Sequence, residues 1–336
     1  MDTKFEIVKF GMLGFNKLLD SFISTSKTNP IYSSPFSDYY RELNSKSEEN
    51  TSLLISLSKK TILGLLFSTP ASSEKKNYKM SYFGLPSALI VSETATVEEI
   101  NEATQILLQE LNDSSVLVAN GRISIPHIFH INTTALRSNK IEKLFFSNAN
   151  VTPRFDRIID LTRAPELIRS EYSKSAREAL KNQSMEIKVT TSESNQESIE
   201  HEFKSLRKLH LLSAGRTTRS DKSWGLQLEM ILNGSGLIVS GSIKKTVLTS
   251  AFFMINSGAA FYGVSASEPN NRRGLSHQLI DFAIQEFKGR GVNEIWMGTQ
   301  HTSSVFELSN KEKQIEEFKG YFGGSIHTSL LARAEL

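Results

Sequence analysis

The stretch Leu-Leu-Ile-Ser-Leu-Ser-Lys-Lys-Thr-Ile-Leu-Gly-Leu-Leu-Phe, residues 53–67, has a counterpart later in the chain. Residues 238–252 read Ile-Val-Ser-Gly-Ser-Ile-Lys-Lys-Thr-Val-Leu-Thr-Ser-Ala-Phe. Aligning Lys59-Lys60-Thr61 on Lys244-Lys245-Thr246 keeps a β-branched residue, a leucine and a later phenylalanine in register. Each copy has an apolar run, a polar break and a second apolar run, which is typical of a β-hairpin.

The elements that follow each hairpin also correspond. Apolar residues at helical spacing predict a helix over 97–111 and another over 276–288. Short apolar strands are predicted after them, at 116–119 and 292–297. The order hairpin, helix, strand therefore occurs twice and indicates two related α/β domains. A polar segment after residue 190 places the boundary between a domain at 1–190 and a domain at 191–336.

Length and composition limit the class of protein. The 336 residues suit about two domains, and the net charge of +3 gives little long-range attraction for nucleic acid. The chain has no cysteine, which excludes disulfides, zinc–thiolate sites, iron–sulfur clusters and a cysteine nucleophile. No segment has the ~20 apolar residues of a membrane span. We therefore expect a cytoplasmic protein without a membrane span or a DNA partner.

Cations and hydroxyls cluster after the helix predicted at 199–212. From His210 to Trp224 the chain reads His-Leu-Leu-Ser-Ala-Gly-Arg-Thr-Thr-Arg-Ser-Asp-Lys-Ser-Trp. Arginine forks bind phosphate or carboxylate oxygens in pairs, and hydroxyls add neutral donors. Arg216 and Arg219 are thus candidates to bind an anionic ligand, although a solvated loop is the plainer interpretation. Trp224 either stacks on a base or sugar or belongs to the core.

A second candidate site lies where a predicted strand leads into a helix. Tyr262 lies in the strand predicted at 259–264, and Arg272-Arg273-Gly274-Leu275-Ser276-His277 opens the helix. Free backbone N–H groups and the positive end of the helix dipole favour an anion at such a place. Ser276 is alternatively an N-cap, and a lone histidine such as His277 is more often structural.

A lysine between aromatic residues and glycines forms the third candidate. Phe318-Lys319-Gly320-Tyr321-Phe322-Gly323-Gly324 follows a charged helical stretch. Lys319 could stabilise a developing oxyanion or a phosphate, or simply lie at the end of a helix. The seven histidines show no metal-ligand spacing, so no metal is expected. Walker loops and the Gly-x-Ser-x-Gly elbow are absent from the sequence.

Taken together, these motifs resemble the GNAT acyltransferase fold present twice, as in the Fem family of peptidoglycan bridge aminoacyltransferases. The resemblance rests on Arg177 near the end of a charged helix, Tyr262-Gly263, Met297-Gly298 and Phe318-Lys319-x-x-Phe322-Gly323. It implies two domains, each with a mixed, mostly antiparallel sheet flanked by helices. In Fem enzymes the matching Phe-Lys pair lies at the acyl-transfer site, which implies this place for Phe318 and Lys319. The stretch from His210 to Ser220 is similar to GNAT-like proteins of flagellin-sugar and surface-polysaccharide pathways.

The donor loop departs from the GNAT pattern. GNAT enzymes usually read Gln/Arg-x-x-Gly-x-Gly/Ala, whereas this chain has Asn271-x-x-Gly274-x-Ser276. Fem proteins also lose this pattern and take their acyl group from aminoacyl-tRNA, and the long helical arm of some Fem members is missing here. Both acyl-CoA, such as acetyl-CoA, and aminoacyl-tRNA therefore stay open as donors. The low net charge favours acyl-CoA.

The resulting hypothesis is an N-acyltransferase acting on a nucleotide-linked amino sugar or a peptidoglycan-type cell-envelope or flagellin-glycan precursor. The acceptor amine would attack the acyl carbonyl directly, because no nucleophile motif is present. Arg177, Arg216 and Arg219 would bind the acceptor, and the residues from Arg272 to His277 would bind the donor. Tyr262 or His210 would handle the proton, and Lys319 would stabilise the acyl oxygen. A non-catalytic sugar-nucleotide-binding module and a tRNA-binding factor are the alternatives.

Overall fold

The computed structural model describes residues 5–44, 48–70, 81–113, 118–119, 122–123, 127–146, 149–181, 185–256, 258–269, 274–300 and 308–334. The chain divides into two compact units. Unit 1 comprises Met1–Arg154 and Thr328–Leu336, and unit 2 comprises Phe155–His327. The chain passes from unit 1 to unit 2 within one strand and returns within another.

The elements up to residue 146 belong to unit 1. Its strands are β1 (Phe5–Lys9), β2 (Glu48–Asn50), β3 (Leu53–Leu57), β4 (Lys60–Leu66), β5 (Ser68–Pro70), β6 (Ser87–Val91), β7 (Val118–Ala119), β8 (Arg122–Ile123) and β9 (His127–Ile131). Its α-helices are α1 (Phe15–Thr25), α2 (Ser34–Asn44), α3 (Val97–Asp113) and α4 (Asn139–Ile141). Short 3-10 turns cover Pro30–Tyr32 and Thr133–Arg137, and a π-helical turn covers Glu142–Phe146.

The remaining elements build unit 2 and the return to unit 1. The strands are β10 (Ala149–Asp160), β11 (Glu186–Thr190), β12 (Gly236–Ile243), β13 (Thr246–Asn256), β14 (Ala259–Ser267), β15 (Glu294–Thr299) and β16 (Ser325–Ala334). The helices are α5 (Pro165–Ser170), α6 (Lys174–Lys181), α7 (Gln196–Ala214), α8 (Asp221–Leu232), α9 (Leu275–Gly289) and α10 (Asn310–Gly320). No helix in the described ranges has both the length and the apolar content that crossing a bilayer requires.

Each unit is built on a mixed sheet with the same pairing pattern. In unit 1 the strand order is β1-β3-β4-β6-β9-β16, and in unit 2 it is β10-β15-β14-β13-β12-β11. Strands β6 and β9 are parallel in unit 1, and β14 and β15 are parallel in unit 2. The other strand pairs described within each unit are antiparallel. The predicted mixed, mostly antiparallel architecture is therefore confirmed.

The repeated hairpin is present in both units with one shared geometry. Its two-residue turns are Ser58-Lys59 and Lys244-Lys245, all four residues having φ between 49° and 68°. Positive φ at both central residues is the type I′ geometry that suits the twist of a hairpin. Both hairpins also contain a bulge three residues before the turn, between Ile55 and Ser56 and between Gly241 and Ser242. The strand register therefore aligns Lys59 with Lys245, one residue away from the alignment that sequence identity suggests.

Residues between Phe155 and Thr190 pack with unit 2. Strand β11 pairs with β12 over its whole length, and Arg169 of α5 forms a bidentate ion pair with buried Asp281 of α9. The boundary expected after Thr190 thus falls inside unit 2. Residues 328–334, expected in the second domain, belong to unit 1, where β16 pairs with β9.

Each unit has an apolar core in which one amphipathic helix packs onto its sheet. In unit 1, α3 packs Ile100, Leu107 and Leu111 onto the strands, as its 3.6-residue periodicity predicts. In unit 2, α9 does the same with Leu279, Ile280, Ala283, Ile284 and Phe287. The two cores therefore arise from equivalent helices lying on equivalent hairpins.

A side chain closes the parallel strand pair of unit 1. Strands β6 and β9 pair from Ser87–Phe129 to Leu89–Ile131. Beyond this point the Asn132 side chain bonds to β6. Its amide oxygen accepts from the Val91 N–H at 3.0 Å, and its amide nitrogen donates to the Val91 C=O at 2.6 Å. A side-chain amide carries the same donor and acceptor as a peptide group. Asn132 therefore continues the ladder beyond the last backbone pair.

Replacing Asn132 by alanine should lower the free energy of unfolding by about 2–4 kcal/mol. Val91 is fully buried, so its N–H and C=O would each lose a partner without gaining water. Urea denaturation of the purified variant measures the loss. Asn139→Ala, at an exposed position seven residues later, is the control and should cost much less. Equal stabilities of the two variants would contradict this account.

Candidate active site

The parallel strands of unit 2 separate where those of unit 1 are joined. Strands β14 and β15 pair only from Ala259–Glu294 to Phe261–Trp296, while β14 continues to Ser267 along β13. The first residue of β15 after the last pair is Met297, a buried apolar side chain in the place held by Asn132 in unit 1. The methionine side chain has no N–H group with which to bridge the strands. Among the described residues no strand pairs with the outer edge of β14 beyond Phe261.

Lys319 lies beside this separation. It stands in the last turn of α10, and its Nζ donates to the Thr299 carbonyl oxygen at 2.6 Å, at the end of β15. A Cβ on Gly298 would lie 3.8 Å from this Nζ and 4.0 Å from the ring of Phe261, the last paired residue of β14. Only 12% of the Lys319 side chain is exposed. The ammonium is therefore held near the point where the two strands part.

Charged neighbours on two elements, α10 and β10, act on Lys319. Burial lowers the pKa of Lys319, while the Glu316 carboxylate, with Oε1 3.5 Å from Nζ, and Asp156 raise it. Arg157 lowers the pKa of Lys319 further. An ammonium has three N–H groups, and those directed at Thr299 and Glu316 leave a third without an acceptor among the described residues. That third donor is available to a substrate oxygen.

Arg157 is a structural neighbour of this lysine. Its Nε donates to Gln300 Oε1 at 2.9 Å, and its Nη1 donates to the Gly323 carbonyl at 2.6 Å. Burial lowers the pKa of Arg157, and the Glu316 carboxylate opposes that shift. The guanidinium thus ties β10 to Gln300 after β15 and to the segment after α10.

An aromatic cluster surrounds the start of α9. The His277 ring stacks on Tyr321, with 5.1 Å between ring centroids. It also packs edge-on against Phe318 at 5.4 Å and in a tilted arrangement against Phe322 at 5.8 Å. Burial lowers the pKa of His277. Both ring nitrogens are buried and have no hydrogen-bond partner among the described residues. Phe318 therefore packs on the helix, while its neighbour Lys319 points to β15.

The predicted donor loop is placed only in part. Gly274 has φ of 104° and begins α9, and a Cβ there would come within 3.0 Å of Ala179. Ser276 in the first turn shares a hydrogen bond with Ser267 at 2.8 Å. Arg272 and Arg273 lie outside the described residues. The described part thus brings the helix start to the end of β14, as expected for a strand–loop–helix site.

Tyr262 lies on β14 just past the last parallel pair. Its ring packs against Phe253, and its hydroxyl donates to Ser265 Oγ. Burial raises the pKa of Tyr262 to about 12. The phenol therefore stays protonated at neutral pH and is a poor proton acceptor there, although it can donate.

A second cluster forms between α7 and α8 around Trp224. The indole is 5% exposed and packs edge-on against Phe203 and His210, and the guanidinium groups of Arg207 and Arg219 lie 5.7 and 5.4 Å from its ring. Trp224 thus lies in a core position, which was the alternative to stacking on a base or sugar. Cations over an indole face are favourable, so the ring orders both arginines.

One ring nitrogen of His210 is hydrogen-bonded to Arg219. The Arg219 Nη1 donates to His210 Nε2 at 2.8 Å, which requires the histidine proton on Nδ1. Burial, Arg219 and Lys311 together lower the pKa of His210. Its accepting nitrogen is therefore already used, and His210 can abstract a proton only if Arg219 moves.

The other two predicted arginines differ in their surroundings. Arg216 is exposed on the loop after α7, with no hydrogen bond or ion pair in the described part of the chain. Arg177 is exposed as well, but its Nη1 donates to the carbonyls of Ser170 and Tyr172. Arg177 therefore caps the end of α5 and helps divide the single charged helix that the sequence predicts here into α5 and α6.

Helix α10 adjoins both clusters of unit 2. Lys311 in its first turn acts electrostatically on His210, and Lys319 in its last turn lies beside β15. Eight residues of helix separate the two by about 12 Å. Sequence reasoning missed Glu316, Arg157 and Arg207. The spacing of Glu316 and Lys319 by three residues on a helix was the available signal for the first of these.

The stability of the protein should fall on acidification through His277. The folded pKa lies below the ordinary value of about 6.5, so the unfolded chain binds more protons between those two values. Stability is thus retained above pH 6.5 and lost as the pH falls, by at most about 1.4 kcal/mol per pH unit. Urea denaturation at pH 7.5 and 5.0 measures the free energy of unfolding at each pH. The His277→Phe variant should lose less stability between these two pH values than the wild type, whereas a variant at exposed His201, His201→Gln, should lose as much as the wild type. A wild-type and His277→Phe difference that is constant with pH would contradict the assignment.

Comparison with protein-family models gives no match, and no curated protein matches by sequence. Solved structures do match over nearly the whole chain. FemX has a TM-score of 0.66 at 10% identity, covering 97% of this chain and 96% of FemX. L-PGS from Bacillus licheniformis has a TM-score of 0.54 at 11% identity, covering 95% and 91%. A GNAT-family acetyltransferase from Colwellia psychrerythraea has 0.53 at 8%, covering 98% and 100%.

Identities this low establish the fold alone. The resemblance drawn from the Phe318-Lys319 motif and the repeated hairpin is confirmed at that level, because the same overall fold is shared with FemX and with a GNAT acetyltransferase. This chain therefore has a Fem-related tandem-GNAT fold, with a mixed sheet and covering helices in each unit.

Proposed function

We propose that the protein is an N-acyltransferase that moves an acyl group from an activated donor, acyl-CoA by preference, to the amine of a nucleotide-linked amino sugar or a related cell-envelope or flagellin-glycan precursor. The observation that carries the proposal is the place of Lys319. Its ammonium lies at the separation of β14 and β15 with one N–H to spare. The transferase neighbours of the same fold support the reaction class.

The separated strands suit an extended donor. Beyond Phe261 the outer edge of β14 offers backbone N–H and C=O groups, which an amide-bearing arm can pair with as an added strand would. The arm of coenzyme A carries such amides. Unit 1 lacks this opening, since Asn132 bridges its strands. Unit 2 is thus the unit to which we assign the donor.

Transfer then needs no covalent intermediate. The acceptor amine attacks the acyl carbonyl, the carbonyl oxygen becomes an oxyanion, and the free N–H of Lys319 stabilises that charge in a largely dehydrated place. Burial lowers the pKa of Lys319, and the Glu316 and Asp156 carboxylates oppose that shift. The lysine is fixed by Thr299 before substrate arrives, so little reorganisation is required.

The arginine-rich loop is the proposed site for the acceptor's anionic part. Arg216 is exposed, and Arg219 is ordered by Trp224. Arg219 contacts His210, on which Lys311 at the start of α10 also acts, whereas Lys319 lies near the end of α10. A nucleotide-linked amino sugar carries phosphates at one end and its amine farther along. The spacing along α10 is consistent with binding both ends at once.

Incubation of the purified protein with acetyl-CoA or charged tRNA and a panel of nucleotide-linked amino sugars tests the proposal. Mass spectrometry should show one acceptor gaining the mass of the acyl group. The acetyl-CoA arm should react and the charged-tRNA arm should not. If no acceptor gains mass with either donor, the proposal is wrong.

Lys319→Ala should lower kcat/KM for the transfer by about 10²–10³-fold, because one oxyanion donor is lost. The KM for the donor should change little. Lys313→Ala, at an exposed position of the same helix, is the matched control and should keep wild-type rates. Full turnover by Lys319→Ala would remove the lysine from the mechanism.

A further inference from the structure

Glu316 is a buried carboxylate with one oxygen unused. Its side chain lies on the inner face of α10 and is 8% exposed. One oxygen, Oε1, faces Lys319 Nζ at 3.5 Å, whereas Oε2 is buried without any hydrogen-bond donor among the described residues. Buried carboxylate oxygens in proteins are nearly always hydrogen-bonded. Such an oxygen points to a donor that arrives with a ligand.

The cations around Glu316 do not supply that donor. Arg157 acts on Glu316 electrostatically, but its Nε and Nη1 are directed at Gln300 and Gly323. Lys319 is bonded most closely to the Thr299 carbonyl. Asp156, the other carboxylate that acts on Lys319, adds negative charge nearby. The unfilled Oε2 therefore favours an incoming group that carries N–H donors.

We propose that Glu316 Oε2 binds the amine of the acceptor substrate and takes its proton, which makes Glu316 the general base of the transfer. This inference rests on the proposed function. One helical turn then presents both groups that the chemistry requires: Lys319 for the acyl oxygen and Glu316 for the attacking nitrogen. A hydrogen bond of ~2.6–3.2 Å from each would place the amine next to the carbonyl carbon.

The other residues predicted to handle the proton are less suited to act as the general base. Tyr262 keeps its proton at neutral pH, and the accepting nitrogen of His210 is bonded to Arg219. The His277 ring is enclosed by Phe318, Tyr321 and Phe322. Glu316 is the carboxylate in direct contact with Lys319, and it is the group whose free lone pairs adjoin the proposed oxyanion donor.

The proton balance of the step is complete with these groups. The acceptor enters as an ammonium and loses one proton to Glu316, which passes it to solvent. The neutral nitrogen forms the new N–C bond, and the C–S bond of the thioester breaks, or the C–O bond if the donor is an ester. The second proton lost by nitrogen reaches the leaving sulfur or oxygen through the same carboxylate. The products are an amide and a free thiol or hydroxyl.

Glu316→Gln tests the assignment because the amide keeps the shape but cannot accept a proton. Its kcat/KM for the acceptor should fall about 10²–10⁴-fold, and the acidic limb of the wild-type pH–rate profile should disappear. The KM for the donor should stay within twofold. Glu316→Asp should recover part of the rate. Glu317→Gln, an exposed neighbour, is the matched control and should behave as wild type.

Three results would overturn the assignment. The first is a Glu316→Gln variant with the wild-type rate and pH profile. The second is a variant whose donor KM alone rises, since Glu316 would then serve the donor or only orient Lys319. The third is equal loss of rate in the Gln and Asp variants with an unchanged pH profile. A wild-type protein that transfers no acyl group would contradict the proposed function as well as the role of Glu316. An active wild-type protein beside an inactive or slow Glu316→Gln variant would support both.

Discussion

A buried ammonium beside two parting strands is the constraint on which the candidate site depends. Removing a lysine from water disfavours its charged form, so the charge persists only where carbonyl and carboxylate oxygens replace the lost water. The Thr299 carbonyl and Glu316 do so for Lys319. Both are provided by elements of unit 2, the end of β15 and the preceding turn of α10. The position of the lysine thus follows from the way this sheet ends.

The two units share one architecture but differ at the place where the candidate site of unit 2 lies. Their hairpins share the turn conformation and the bulge, and their sheets share one parallel pair. The difference lies at the residue after that pair: Asn132 joins the strands of unit 1, and Met297 leaves those of unit 2 apart. In unit 1 a hydrogen-bonded ladder adds stability, while in unit 2 the edge of β14 beyond Phe261 has no strand partner among the described residues.

Sequence patterns predicted the local structure well and the long-range contacts poorly. The hairpin was readable because apolar runs and a polar break are local signals, yet identity placed its turn one residue away from Ser58-Lys59. Glu316 and Lys319 have readable helical spacing, but the partner of Lys319 is Thr299, which only the folded sheet brings near. The pairing of Asn132 with Val91 spans 41 residues and has no local signature. Chemistry at the site arises mainly from such distant pairs.

The return of β16 to unit 1 has a consequence for how the chain is made. His130 and Ser329 share a hydrogen bond across 199 residues, and Ala332 is part of the unit 1 core. On the ribosome the N-terminal unit emerges first, yet its sheet lacks this strand until all of unit 2 has been synthesised. Unit 2 can therefore complete its core earlier than the unit that precedes it. Until then strand β9 presents an open edge, which makes the nascent chain a natural client for chaperones.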